Sequence, residues 1–208
     1  MSLKDTYTIK PITYQEAMDI VVANHYLHRR APCSKAYGLI DKDNNIKGVV
    51  VYGVPPSSTL LKGVCGEEEK HNVYELTRLW IDDSVAKNGE SYLIGNTIKL
   101  LDKEIIVSFS EIKQGHRGVV YQASNFIYCG LSSKFKDPKV KGLERQHHAT
   151  YAHGLTNKQV EEKFGVDNVY YVDRPRKHRY IYFNATSKKR KNELISKLRY
   201  KVQPYPKE

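Results

Sequence analysis

An acid, a histidine, an arginine and two tyrosines gather in one short segment of this chain. Residues 104–130 read EIIVSFSEIKQGHRGVVYQASNFIYCG. The stretch begins as a buried strand, Ile105-Ile106-Val107. It crosses a polar elbow holding Ser110, Glu111, His116 and Arg117, then enters a helical run with Tyr121, Gln122, Ser124, Asn125 and Tyr128. Open α/β sheets place ligands at the carboxyl ends of their strands, which is where this elbow falls. Glu111 beside His116 can serve as general base for an attacking amine or as a metal ligand. The plainer alternative is a loop carboxylate capping the helix that starts near Gly118. Tyr121, Ser124, Asn125 and Tyr128 follow i, i+3, i+4, i+7 spacing, which predicts one polar helical stripe. Such a stripe could line a site for a donor molecule or a flipped base.

Other candidates come from outside the segment. His25 and Tyr26 follow a predicted helix, where His25 could move a proton or bind a metal, or simply meet the helix dipole. His25 with Glu111 could complete a His/carboxylate site for iron or another divalent metal. In NVYELTRLWIDD, strict alternation puts Glu75, Thr77 and Leu79 on one face and Tyr74, Leu76, Arg78 and Trp80 on the other. Arg78 could grip a phosphate or a donor carboxylate bidentately, or pair with a carboxylate to support the sheet. His147-His148 and His153 lie in a polar segment where metal binding is conceivable and incidental clustering more common.

The elements that must position these groups can be read from pattern. Tyr7–Ile9 alternates as a short strand. Thr13 with Glu16 forms a capping box ahead of a helix ending near His25-Tyr26. Residues 36–41 and 46–52 form a hairpin around Asp43-Asn44-Asn45. Residues 63–71 read as a polar loop, 73–82 as a strand and 92–103 as a helix. That helix crosses over to the strand at Ile105, so the two strands should be parallel. Residues 132–154 read as a polar loop or insertion. Thr156 and Gln159 cap a short helix. Residues 169–173 and 179–183 read as a hairpin, in which Tyr180 and Tyr182 share a face. Ser187 opens a basic helix ending near Arg199. The expected fold class is α/β (α+β), a single domain over 1–208 with a mixed central sheet flanked by helices and a basic C-terminal hairpin and helix.

Charge names a partner. The chain of 208 residues carries 34 Lys/Arg against 23 Asp/Glu, a formal charge of +11. From Arg174 to Lys201 there are eleven Lys/Arg and one acid, Glu193. Clustered cations displace the counterions condensed on phosphates, so nucleic acid is the leading expected partner, against the plainer alternative of a solvated basic face that only aids solubility. The DNA-facing set is Arg174, Arg176, Lys177, Arg179, Lys188, Lys189, Arg190 and Lys191 in the region 169–208, with Arg29, Arg30, His116 and Arg117. Sixteen tyrosines offer faces for base stacking, although tyrosine also fills strands. Three cysteines without a CxxC pair argue against a disulfide framework or structural zinc, and fit a reduced cytoplasmic setting. No secretory h-region and no apolar run of ~18 residues is visible, so no membrane is expected.

Several blocks together resemble a known family. They are NHYLHRR, YGLI followed by GVVVYGVP, YELTRLWI, the VSFSE strand end, GHRGVVYQASNFIYCG, and HRYIYF through PYPK. Their order resembles the GNAT acyltransferase fold and, more specifically, the phage Mom family of DNA adenine-modifying proteins. The resemblance implies a phage or prophage enzyme of the bacterial cytoplasm. It would transfer a glycine-derived, carbamoylmethyl-like group to the exocyclic amine of adenine and so protect DNA from restriction. It implies His25, Tyr26, Arg78, Glu111 and Tyr121 as catalytic residues, and an activated glycine-type donor or acyl-CoA as small-molecule partner. The donor would lie against Asn88, Gly89 and Ser91 of the turn before the second long helix, and against Ser124, Asn125 and Tyr128. That turn has one glycine, and Glu90 would repel a phosphate if it faced inward. Glu111 stands where the family pattern has an aspartate. At the GNAT general-acid spacing before Gly130 stands Phe126, which makes Tyr121 the candidate proton donor. Two rival readings are an acyl-CoA-dependent N-acetyltransferase on a protein or small-molecule amine, and a non-catalytic DNA-binding protein.

Overall fold

In the computed structural model, which describes residues 2–207 except 147 and 153, the chain folds from local signals first. Thr13 accepts from the Glu16 amide at 3.2 Å, and the Glu16 carboxylate accepts from the Thr13 amide at 2.8 Å. This capping box starts helix α2 (Tyr14–Asn24), behind a single-turn α1 (Leu3–Thr6) and strand β1 (Thr8–Pro11). Strands β2 (Lys35–Ile40) and β3 (Ile46–Gly53) form the expected hairpin. Helix α3 (Ser58–Cys65) occupies the start of the region expected as loop. Then follow β4 (Val73–Ile81), α4 (Gly89–Thr97), β5 (Ile105–Glu111), the five-residue α5 (Val119–Ala123) and β6 (Ile127–Leu131). The rest comprises β7 (Lys136–Val140), α6 (His148–Ala152), α7 (Asn157–Phe164), β8 (Val169–Asp173), β9 (Lys177–Phe183) and α8 (Lys188–Lys197). The histidines 147 and 153 lie outside the described residues, as does the side chain of His148.

Seven strands make one mixed sheet in the order β1-β2-β3-β4-β5-β9-β6. The β4–β5 pair is parallel, as the α4 crossover requires, and the other neighbours are antiparallel. Each face buries its own core. Leu93 and Ile94 of α4, with Tyr121 of α5, pack on Val50, Tyr52, Leu76 and Ile106. On the opposite face, α2 packs Ala17, Met18 and Val21 on Val49 and Val51. Beside it, α3 and α8 pack Val64 and Leu194 on Val73, Ile105 and Val107. The mixed sheet flanked by helices is therefore as expected. The C-terminal hairpin is not. β8 pairs with β7 in a separate two-stranded sheet, whereas β9 inserts between β5 and β6. Arg174-Pro175-Arg176 connects two sheets instead of turning one hairpin.

Strand β4 carries the feature that makes the site. Its parallel pairing with β5 ends at Leu76↔Ser108. Beyond that point β4 follows β3, while β5 stays with β9 as far as Glu111↔Lys177. The two strands part and leave a wedge between them. At the parting a bulge adds Thr77: Tyr52 pairs with Leu76 but Val51 pairs with Arg78. The Thr77 hydroxyl lies 3.0 Å from the Pro32 carbonyl and 3.3 Å from that of Val51. Alternation is reset, so Leu76 and Leu79 share one core while Trp80 faces the other. Glu75 and Arg78 thereby fall on the same face, which corrects the strict-alternation expectation.

Candidate active site

The wedge is a cleft of about 600 Å³, within the range that suits a small-molecule or single-nucleotide site. Its walls come from three places. Strand β4 supplies Glu75, Thr77 and Arg78. Strand β5 and the following turn supply Ser110, His116, Arg117 and Gly118, with Tyr121 from α5. The α2–β2 loop supplies His25, Tyr26 and Arg29, and Lys177 closes the β9 side.

His25 caps α2, its amide donating to Val21 O at 3.0 Å. Its Nδ1 accepts from the Leu27 amide at 3.1 Å. The imidazole is 8% exposed. Burial, then the nearby Arg78, His28, His116 and Arg29, pushes it down to about 4. It is therefore neutral at physiological pH, and with Nδ1 accepting, the proton sits on Nε2. His25 offers the site a hydrogen-bond donor. Tyr26 stacks on His25 with ring centroids 4.3 Å apart and meets His116 edge-on at 5.4 Å. These three rings form one wall.

The opposite wall is held by backbone contacts. Ser110 Oγ donates to the His116 carbonyl at 2.6 Å, and the buried Tyr180 hydroxyl donates to the Arg117 carbonyl. Gly118 adopts φ +74°, and a Cβ there would sit 2.4 Å from the Tyr180 ring. Only glycine lets the turn lie this close. Tyr121 then enters the cleft from α5. Its phenol, bonded to Ser108, is pushed up to about 12 by burial, with Tyr26 and Glu75 adding to the rise. It stays protonated at any physiological pH and can donate.

Glu75 is the carboxylate inside the cleft. Burial raises its carboxyl above the ordinary range, and Lys177 and Arg78 pull the other way. Glu111 is not among the lining residues. Alternation along β5 puts it on the face of Ile105 and Val107, with its carbonyl accepting from the His116 amide at 3.3 Å. Burial, and then the charge of Glu111, raises the Tyr26 phenol. Of the two acids, Glu75 lines the cleft and Glu111 does not. An acid in the middle of the apolar run VYELTRLWI was the available signal. The bulge that brings Arg78 to the same face was not.

Arg78 is half-buried. It donates to its neighbour's carbonyl at 2.6 Å and to those of Arg30 and Arg29 at 3.2 and 3.4 Å. It pins the loop that carries His25 and Tyr26. Its Nε is buried without a partner.

Other expected site residues fall elsewhere. Helix α5 ends at Ala123, Asn125 is left-handed at φ +61°, and Tyr128 lies in β6, so no polar stripe forms. Ser124 bonds back to Val120 O, and Tyr128 bonds to His178 Nδ1 at 2.8 Å. Neither Ser124, Asn125 nor Tyr128 lines the cleft. At the start of α4, Asn88 is left-handed, Gly89 is buried, and the Ser91 hydroxyl turns back to Asn88 O at 3.1 Å. Glu90 does face the cleft. A pyrophosphate seated at α4 would meet that carboxylate, so the residues do not fit one. Nor do they fit the expected His25–Glu111 metal. Nδ1 of His25 is occupied, Nε2 bears the proton, and no group of three His, Cys, Asp or Glu converges for a metal among the described residues.

The predicted basic surface divides. Arg29, His116, Arg117 and Lys177 line the cleft. Arg30 lies over the Tyr14 ring. Arg174 ion-pairs with Asp137, and Arg176 donates to Ser132 O at 2.6 Å. Arg179 is buried 3.8 Å above the Tyr200 ring. Arg190 is held by Glu69, Glu104 and Glu193 at 2.7–2.9 Å. Lys188, Lys189 and Lys191 remain, but α8 starts beside Glu104, at the opposite end of β5 from the cleft. Six residue steps of strand are about 20 Å. Tyr180 and Tyr182 share a face as expected and pack into the core.

The family model for the Mom protein family matches residues 6–207. The chain belongs to the Mom protein family. It is 26% identical over 214 residues to the methylcarbamoylase mom of Escherichia phage Mu, covering 96% of this chain and 83% of that protein. Solved structures give more distant likenesses. A Bacillus subtilis acetyltransferase in complex with CoA aligns with a TM-score of 0.45 and 15% identity, over 85% of this chain and 98% of that one. The spermidine/spermine N-acetyltransferase SpeG from Vibrio cholerae, in complex with manganese ions, aligns at 0.49 and 9% identity, over 92% and 99%. Nothing about the reaction follows from likenesses this remote. Among the described residues no helix is long and apolar enough to cross a membrane.

Proposed function

We propose that this protein transfers a small glycine-derived, carbamoylmethyl-like group to the exocyclic amine of adenine in double-stranded DNA, shielding it from restriction. Membership in the Mom family and the name of the phage Mu relative support the reaction class. The observation that carries it at residue level is that Glu75 and the neutral phenol of Tyr121 line one cleft, together with Arg29, Arg117 and Lys177. In this reading the adenine is flipped into the wedge, since its amine is out of reach inside a duplex. The amine nitrogen bonds to the donor carbon as the bond from that carbon to its leaving group breaks. Glu75 takes the amine proton, and Tyr121 gives a proton to the leaving group. His25 Nε2–H and the rim cations hold substrate oxygens or phosphates. The carboxylate of Glu90 in the cleft weighs against a CoA-dependent N-acetyltransferase with its pyrophosphate at α4.

The test is nucleoside mass spectrometry. Plasmid co-expressed with the protein should yield a modified deoxyadenosine carrying a carbamoylmethyl-type mass increment. An unaltered adenosine profile in cells that restrict or modify nothing else would remove the DNA reading.

A further inference from the structure

The segment between β6 and β9 is an arm planted beside the cleft. Its root is tied there: Ser132 N donates to Lys177 O at 2.8 Å, and Arg176 donates to Ser132 O and Leu131 O. Lys177 itself lines the cleft. The arm's strands β7 and β8 form an antiparallel ribbon, Asp137↔Val172 and Lys139↔Tyr170. Paired residues share a face, so the two sides of the ribbon can be told apart. One side, with Val140 and Val169, packs on Tyr151 and Val160 of α6 and α7, and Tyr171 there bonds to Glu161 at 2.6 Å. The other side is bare. It shows Tyr170 and Val172, 38% and 44% exposed, with the half-buried Lys139 and, one step beyond the ribbon, the exposed Lys141. Asp137 on this side is neutralised by Arg174. Lys139 and Lys141 have no carboxylate partner among the described residues.

We propose that the bare face of this ribbon docks on double-stranded DNA next to the base being modified, a proposal that rests on the DNA reading above. The ribbon is about 17 Å long, and a two-stranded ribbon of that kind fits the ~12 Å major groove. Its free charge is purely positive, as a phosphate-lined partner requires. The same face of a second copy would bring the same lysines and, with its Asp137 held by Arg174, no free acid to meet them. The arm also accounts for where the basic sequence is usable. The cations of α8 are either locked to Glu69, Glu104 and Glu193 or placed at the far end of β5, whereas the root of the arm, at Ser132, Arg176 and Lys177, adjoins the cleft.

The test uses the full chain and a fluorescein-labelled duplex oligonucleotide, with anisotropy read over a range of KCl concentrations. The variants are Lys139→Ala with Lys141→Ala, Tyr170→Ala, and Lys188→Ala with Lys189→Ala and Lys191→Ala. All these residues lie at or near the surface, and matching thermal melts keep the comparison on binding. The arm pair should weaken binding several-fold and flatten the log–log salt slope by about two, ~0.9 for each phosphate that is no longer neutralised. Tyr170→Ala should weaken binding with the slope unchanged. The triple α8 variant should change the slope less than the arm pair, although it removes one more charge. If the wild-type chain binds the duplex and the arm variants match it, the arm proposal is overturned and the DNA reading stands. If the wild-type chain binds no duplex, the DNA reading falls and takes the arm with it. Tighter binding of the single strand than of the duplex overturns the duplex assignment. So does a dimer in sedimentation that Val172→Asp dissolves without loss of DNA affinity.

Discussion

Glu75→Gln separates the two candidate bases. In the wild type the carboxyl of Glu75 is raised by burial at the point where β4 and β5 part, so it is a stronger base than a surface glutamate. A positioned general base contributes about 10²–10⁴ in rate, or ~3–5 kcal/mol at 1.36 kcal/mol per tenfold. Glutamine keeps the shape and removes the base, so the single-turnover rate should fall by about 10²–10⁴. The wild-type rate should rise with pH through an acid limb set above the ordinary carboxylate range, and the variant should lose that limb. Glu111→Gln should cost less than ~10-fold, because that carboxylate does not line the cleft. Stability must move the other way. Glu75 is raised in the folded state, so its contribution is present below the unfolded carboxyl value and is lost as pH rises through the folded one. Glutamine has no such loss. Glu75→Gln should melt higher than wild type at neutral pH, and the gap should close in acid. The assay combines purified protein, plasmid and clarified host-cell extract as donor source, with nucleosides counted by mass spectrometry over time. A Glu75→Gln protein within ~3-fold of wild type, beside a Glu111→Gln protein that is dead, would refute the assignment.

Three further outcomes follow from the same geometry. Tyr121→Phe should reduce turnover by about 10²-fold with duplex affinity unchanged, because the phenol is neutral and serves only to donate a proton. The His25 imidazole, held near 4, should show no NMR titration across pH 5–8. Its contribution to stability is present above the unfolded histidine value and is lost as pH falls toward 4, a window worth roughly 3 kcal/mol. Arg190→Ala should cost about 1–3 kcal/mol in denaturant unfolding and leave DNA affinity intact, since Glu104 loses its cation and Glu69 keeps only Lys197. Glu69 is drawn down to about 2 by Arg190 foremost, so the stability this cluster supplies is present above the ordinary carboxylate value and lost as pH falls through 2.

What could be read from the sequence was what neighbours in sequence decide. The capping boxes at Thr13 and Thr156, the β2–β3 hairpin and the parallel β4–β5 pair each follow from residues within one element or one crossover. The site was half legible. His25, Tyr26, Arg78 and Tyr121 were singled out, and all four line the cleft. The failures share a physical origin. Arg190 was counted as a free cation because its partners Glu69 and Glu104 are 121 and 86 residues away. The polar stripe after Gly118 was drawn on a helix that ends at Ala123, because the chain there must turn to give β9 its second neighbour, β6. Periodicity cannot see a demand made by a strand that comes fifty residues later.

The bulge at Thr77 is the deepest of these, since one inserted residue decides whether Arg78 shares a face with Glu75. Without it, alternation would carry Arg78 to the face of Tyr74 and Leu76, away from Glu75 and away from the carbonyls of Arg29 and Arg30. The loop bearing His25 and Tyr26 would lose its clamp, and the cleft would lose a wall. Thr77 is suited to hold the bulge because its hydroxyl reaches both the Val51 carbonyl on the neighbouring strand and the Pro32 carbonyl of the loop above. Gly53, two residues along from Val51, admits that loop, since a Cβ there would stand 2.3 Å from Pro32 O. The site is therefore assembled by a backbone irregularity that a threonine and a glycine make room for, and the charged residues take their places around it.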